Sequence, residues 1–218
     1  MAFPLNWRKE VSLTSAIVFL VVLTLIWVAI GTFIGYAMFW DQFPPESRLD
    51  REILKYRTLA ALNPGDADAH FRLGWAYYQQ GKVDQALGSF YRALEVDPGH
   101  SSARYGRAVA YMAKGMYPLA EQDLKALVEK QPRHELAWLA LGKIYLAERR
   151  YQEAESALRH LLGINRTSAD GHYYLGMVYK AQEVWTEAEK EFREALRYDP
   201  KYSEAREALQ EVTTVKKR

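Results

Sequence analysis

Histidine is the side chain in this sequence best suited to catalysis or metal binding, and it occurs five times, at His70, His100, His134, His160 and His172. Metal ligands must converge within about 2 Å of one ion. His70 and His172 stand three periods of about 34 residues apart, and His100 and His134 one period apart. With one pair of helices per period, that spacing puts the imidazoles in different pairs, and packed helices lie about 8 to 10 Å apart. The spacing therefore argues against a zinc site, and His160 reads as an exposed helix residue. The sequence contains no H-E-x-x-H, no glycine-rich phosphate loop and no G-x-S-x-G elbow. Cysteine is absent, which removes disulfides, thiolate ligands and a cysteine nucleophile. Asn165-Arg166-Thr167 fits the glycosylation pattern, a triplet that arises often by chance, and Lys216-Lys217-Arg218 reads as a solvated end. With no convergent nucleophile, base and stabiliser, the expectation is a protein that is not an enzyme and needs no cofactor and no metal.

The elements that carry these side chains repeat. Leu73-Gly74, Leu141-Gly142 and Leu175-Gly176 recur in phase, with Arg107-Ala108 standing in the second period. Three residues past each pair comes a tyrosine: Tyr77, Tyr111, Tyr145 and Tyr179. Ala86, Ala120, Ala154 and Ala188 follow, then Phe90, Leu124, Leu158 and Phe192, then Ala93, Leu127, Leu161 and Ala195. Pro98, Pro132 and Pro200 close their periods, and Arg166 breaks that rule once. Small residues at one helical place and large ones at the next describe two helices crossing closely, with proline ending each pair. A bulky residue at Gly74 or Gly142 should cost about 1 to 3 kcal/mol through overpacking. Repeats cannot bury their apolar faces alone, so the ends need caps. The phase supplies them: a leading helix over 46–62, and a final helix over 203–212 with Glu204, Glu207, Gln210 and Glu211 on its outer face.

Ahead of the repeats, residues 11–40 carry no charge, and the centre is almost wholly Val, Leu, Ile, Ala, Phe and Trp. About 20 such residues cross a hydrocarbon layer of about 30 Å, so the run predicts a transmembrane helix rather than a cleaved signal peptide. Trp7 borders one end, and Tyr36, Phe39, Trp40 and Phe43 the other. Arg8 and Lys9 at the N-terminal border favour a cytoplasmic N-terminus with the repeats outside, in a cell inner membrane crossed once. Gly31 and Gly35 form a G-x-x-x-G step, which reads either as a helix-pairing face giving a homo-oligomer or as small residues facing lipid. The net charge of +2, from 29 basic and 27 acidic residues, gives no reason to expect nucleic acid as a partner.

The periodic residues from Ala67 to Pro200 resemble the tetratricopeptide repeat (TPR) family. The resemblance implies an all-α fold, a right-handed solenoid of antiparallel helix pairs, here preceded by the single transmembrane helix. The organisation expected is an N-terminal flank (1–10), the membrane helix (11–40), a proline joint with leading cap (41–66), repeats at 67–100, 101–134, 135–168 and 169–202, and a capping helix with basic tail (203–218). Carried over from the family, the inner wall consists of Phe71, Trp75 and Tyr78, then Tyr105, Val109 and Met112, then Leu139, Lys143 and Leu146, then Tyr173, Met177 and Lys180. TPR domains that grip C-terminal carboxylates use Lys and Asn there, so Phe71 and Trp75 disfavour that ligand. An aromatic and aliphatic wall points to a protein or peptide client, although several of these residues, Tyr105 and Leu139 especially, could instead pack between repeats. The architecture is similar to that of bacterial inner-membrane TPR proteins serving cytochrome c maturation and translocon-associated chaperoning. The function expected is that of a membrane-anchored scaffold or holdase for an apolar peptide or helix. The alternative is a structural, oligomer-organising subunit with no peptide groove.

Overall fold

The computed structural model describes residues 21–24, 26 and 47–216. Two units are present, Met1–Asp50 and Arg51–Arg218. In the first, residues 21–24 and 26 are helical and exposed, and the Thr24 hydroxyl donates to the Val21 carbonyl at 2.8 Å. Among the described residues no helix is long and apolar enough to cross a membrane. The expected span over 11–40 lies outside the described residues except for those five positions, and so do Gly31 and Gly35.

Ten helices follow among the described residues: α1 (Arg48–Leu62), α2 (Ala67–Gln79), α3 (Val83–Val96), α4 (Ser101–Ala113), α5 (Tyr117–Lys130), α6 (Glu135–Ala147), α7 (Tyr151–Ile164), α8 (Ala169–Ala181), α9 (Trp185–Tyr198) and α10 (Ser203–Val215). The described residues contain no strand. A reciprocal capping box starts α1, with the Ser47 amide donating to Asp50 at 3.0 Å and the Asp50 amide to Ser47 Oγ at 3.1 Å. The final helix runs to Val215, one turn beyond the expected stop at 212, because Thr213 and Thr214 both return their hydroxyls to the Gln210 carbonyl (2.9 and 2.8 Å) and continue the turn.

The pairs α2–α3, α4–α5, α6–α7 and α8–α9 close on one recurrent contact. Phe90, Leu124, Leu158 and Phe192 are fully buried on the second helices. Opposite them the first helices approach so closely that a Cβ on Gly74 would stand 2.7 Å from the Phe90 ring, one on Gly142 2.6 Å from Leu158 Cγ, and one on Gly176 2.7 Å from the Phe192 ring. Between the two helices of a pair, Gly81 (φ 77°) and Gly115 (φ 71°) take the left-handed conformation. In the third and fourth pairs Arg149 (φ 60°) and Glu183 (φ 61°) do so at a steric cost.

The stack stops where those places change type. Glu52 of α1 stands where Ala86, Ala120, Ala154 and Ala188 are fully buried in the complete pairs. Gln210 of α10 stands where Gly74, Gly142 and Gly176 stand. A carboxylate and a long amide thus replace the small residues that let the helices of a complete pair close at the tight distance.

Candidate functional site

The site is built from the first helix of each pair, and the joints that hold those helices in register are polar. Each is capped at one recurrent place. Asp66 accepts from the Ala69 amide (3.0 Å), His100 Nδ1 from Ala103 (3.1 Å), His134 Nδ1 from Ala137 (3.1 Å) and Ser168 from Gly171 (3.1 Å). Two of the five histidines are therefore helix caps, a role that their position in the turns does not reveal by residue type. A second place, four residues on, donates back to the closing residue of the preceding pair. His70 Nε2 reaches the Pro64 carbonyl (3.1 Å), Arg104 Pro98 (2.6 Å), Trp138 Pro132 (2.8 Å), His172 Nε2 Arg166 (3.1 Å) and Arg206 Pro200 (2.5 Å). The histidines here do a structural task that arginine and tryptophan do equally. His172 Nδ1 also faces Glu191 at 2.7 Å. Both of its partners are acceptors, so the ring donates twice as the imidazolium. Burial opposes this charge, but the Glu191 hydrogen bond and the Arg166 carbonyl win, and the group stays protonated above its usual range. His160 is exposed and stacks on Trp138, with centroids 4.6 Å apart.

The second pair departs from the apolar pattern in its core. Arg107 occupies the place of Leu73, Leu141 and Leu175, and its guanidinium grips buried Asp123 through two bonds of 2.7 and 2.6 Å. Arg104 lies 3.6 Å from the same carboxylate. Arg107 also covers the Tyr91 ring at 4.8 Å, and the Tyr91 hydroxyl meets that of Tyr111. Burial first, then Tyr91, pushes the Tyr111 phenol up to about 12. In the next two pairs the corresponding tyrosines bond acids of the preceding helix, Tyr145 to Glu121 (3.1 Å) and Tyr179 to Glu155 (2.9 Å). Arg150 and Lys125 also hold Glu121, and its carboxyl falls to about 2, chiefly through the Arg150 bond.

On this scaffold the twelve expected wall residues divide into three groups. Tyr78, Tyr105, Val109, Met112, Leu139 and Lys143 line one groove of about 320 Å³, together with Ala113, Leu136 and Ala140. Phe71 and Trp75 line a recess of about 330 Å³ with Glu52, Tyr56, Arg72, Ala76 and Gln79. Leu146, Tyr173, Met177 and Lys180 belong to neither. Leu146, Tyr173 and Met177 are half-buried against the core, and Lys180 Nζ is held 2.5 Å from Glu211.

The expected alternative, packing between repeats, holds in part. The Phe71 ring lies 5.3 Å from His100 and 6.2 Å from Phe90, and the Tyr105 ring 5.5 Å from His134, so each rests on the cap of the next first helix. Tyr105 is nonetheless only half-buried and presents its other side to the groove. Burial, then the neighbouring Tyr78, raises its phenol above the usual range. Trp75 and Tyr78 stack at 5.5 Å. Apart from the Tyr78 and Tyr105 phenols and the Lys143 ammonium, the groove lining is aliphatic and offers apolar contact area. Among the described residues no group of three His, Asp or Glu is placed to hold a metal ion.

A family model described as the tetratricopeptide repeat protein 21 C-terminal ARM domain matches residues 67–209. Among solved structures, a thermophilic TPR protein of Thermus thermophilus is 28% identical over 69% of this chain and 82% of its own, with a TM-score of 0.61. The protein MamA of Desulfovibrio magneticus RS-1 (its 41-end form) aligns over 77% of this chain and 95% of its own at 18% identity and TM-score 0.66. A chain of the APC/C hetero-tetramer Cut9-Hcn1 aligns over 77% of this chain and 34% of its own at 22% identity and TM-score 0.69. The last two show likeness of fold alone. None of the curated proteins matches this chain.

Proposed function

We propose that this chain, which belongs to the family described as the tetratricopeptide repeat protein 21 C-terminal ARM domain, is a membrane-anchored scaffold or holdase whose inner wall receives an apolar segment of a protein client. One observation carries the reading: Tyr78, Tyr105, Val109, Met112 and Leu139 converge from three successive first helices on a single groove of about 320 Å³, although such side chains would be better hidden in the core. Tyrosine and methionine give large, adaptable contact area at partner surfaces. A chain similar in fold is found in the hetero-tetramer Cut9-Hcn1.

The anchor is the uncharged run over 11–40, with Arg8 and Lys9 at its border, which sets the repeats on the extracytoplasmic side of an inner membrane. In that setting the architecture suits service to cytochrome c maturation or translocon-associated chaperoning. Capture of clients by the repeat domain, repeated with Trp75→Ala and Tyr78→Ala, tests the groove: undiminished capture by the variants counts against it. Protease access to the C-terminal tail in sealed membranes tests the side. The G-x-x-x-G step supports a second reading, a structural subunit paired through Gly31 and Gly35. Retention of oligomer size after Gly31→Leu with Gly35→Leu removes its motivation.

A further inference from the structure

The outer surface of the leading helix departs from that of a cap. A terminal helix should turn a polar face to water, but the exposed residues of α1 include Leu54, Leu59 and Leu62, at 46, 42 and 78% exposure, and no acid. Every charged residue exposed there is basic: Arg48, Arg51, Lys55 and Arg57. The two acids of α1 are half-buried elsewhere, Asp50 in the capping box with Ser47 and Glu52 in the recess beside Trp75. The exposed surfaces of α3, α5, α7 and α9 mix the two signs, as Asp84, Arg92 and Glu95 do on α3. The whole chain is close to neutral at +2, so the acid-free surface is a local property of α1. Leu59 stands where Ala93 is buried in a complete pair, and its exposure follows from the missing first helix. Leu54 and Leu62 stand on the outer side, where α3 has Gly88 and the shorter Val96, and truncation does not account for them.

These outer residues form one stripe. Leu54, Thr58, Ala61 and Leu62 follow the i, i+4, i+7, i+8 spacing of a single helical face, and Lys55 and Arg57 border it on either side. Basic side chains at such a rim lay their stems along apolar surface and reach outward with their charged heads. Leucines in the middle and cations at the edges suit a helix that lies in the headgroup layer of an anionic membrane. The sequence puts such a layer within reach. Only seven residues separate the end of the uncharged run at 40 from Arg48, and a chain of that length spans at most about 25 Å. Tethered so closely, α1 meets the surface at a high effective concentration, and a weak affinity suffices to hold it there.

We infer that the outer face of α1 docks on the anionic lipid surface beside the anchor, with Leu54 and Leu62 entering the headgroup layer and Lys55 and Arg57 against lipid phosphates. This rests on the reading of residues 11–40 as a membrane anchor and adds a second contact, which holds the α1 end of the repeat stack at the bilayer. The competing occupant is an acidic protein surface.

The chain has no cysteine, so a single introduced thiol reports one position. The full chain is reconstituted in phosphatidylcholine vesicles with or without phosphatidylglycerol. An environment-sensitive dye is carried at Ala61→Cys on the stripe or at Gln85→Cys on exposed α3, and its quenching by spin-labelled lipid is measured. Flotation with the vesicles reads the anchor separately. In the anionic vesicles the label at 61 should be quenched about threefold more than the label at 85, and salt should erode the excess. Lys55→Glu with Arg57→Glu, or Leu54→Ser with Leu62→Ser, should bring position 61 down to the level of position 85 while the chain still floats. All four side chains are exposed, so helix content should be unchanged. Equal quenching at 61 and 85 in a chain that floats overturns the docking and leaves the stripe to a protein partner. An excess that is the same in neutral vesicles, or that survives the glutamate variant, overturns the charge assignment. A chain that fails to float overturns the anchor and the docking with it.

Discussion

Gly176→Ala isolates the packing argument, because the same substitution at two helical glycines should change stability in opposite directions. Replacing glycine by alanine inside a helix ordinarily stabilises by about 1 kcal/mol. At Gly88, on α3, an added Cβ meets nothing within 4 Å, so Gly88→Ala should realise most of that gain. At Gly176 the Cβ would stand 2.7 and 2.8 Å from two carbons of the Phe192 ring. That ring is fully buried, and protein interiors are close-packed. Overpacking of this kind costs about 1 to 3 kcal/mol, so the net change is a loss of about 1 kcal/mol. In a chain of this size 1 kcal/mol moves the thermal midpoint by about 2 to 4 °C. Far-ultraviolet ellipticity through a thermal or urea transition should show Gly88→Ala rising and Gly176→Ala falling. A rise in both would refute the claim that glycine is there to admit the Phe192 ring.

Asp123→Ala alone should cost about 3 kcal/mol by leaving Arg107 partly buried without its partner, whereas Arg107→Leu with Asp123→Ala recreates the Leu141 and Ala157 pairing of the next repeat and should be neutral or stabilising in urea unfolding. Arg149→Gly and Glu183→Gly, relieving the positive φ, should each raise stability by about 0.5 to 1 kcal/mol in the same assay. His172 is raised in the folded state relative to its ordinary value near 6.5, so the stabilisation from its pairing with Glu191 is complete below about pH 6.5 and is lost as pH rises through the raised value. Unfolding free energies measured across that window should fall with pH in the native chain, and more weakly in Glu191→Gln.

Much of the scaffold was legible because its main contacts reuse residue types at a fixed interval. Leu73-Gly74, Tyr77 and Phe90 recur in kind, and type plus spacing suffices to place two crossing helices. The joints were illegible for the converse reason. The caps Asp66, His100, His134 and Ser168 share an acceptor atom but no residue type, and the donors His70, Arg104, Trp138, His172 and Arg206 share only an N–H. The break at Arg107 is visible in the sequence, but its partner Asp123 is chosen by the fold. The wall was half legible. The family resemblance puts Phe71 and Tyr105 on the inner face, but it does not show that each ring also rests on the next cap. The same limit hid Lys180, whose charge is answered by Glu211 from the capping helix.

Site-specific photocrosslinking tests most directly whether the inner wall is the binding surface. A photoreactive residue replaces Met112 in the groove in one variant and exposed His160, which lines a separate surface recess, in another, each irradiated in membranes with client proteins present. Client adducts from position 112, and none from position 160, are the predicted result. Adducts from position 160 with none from position 112 would contradict it.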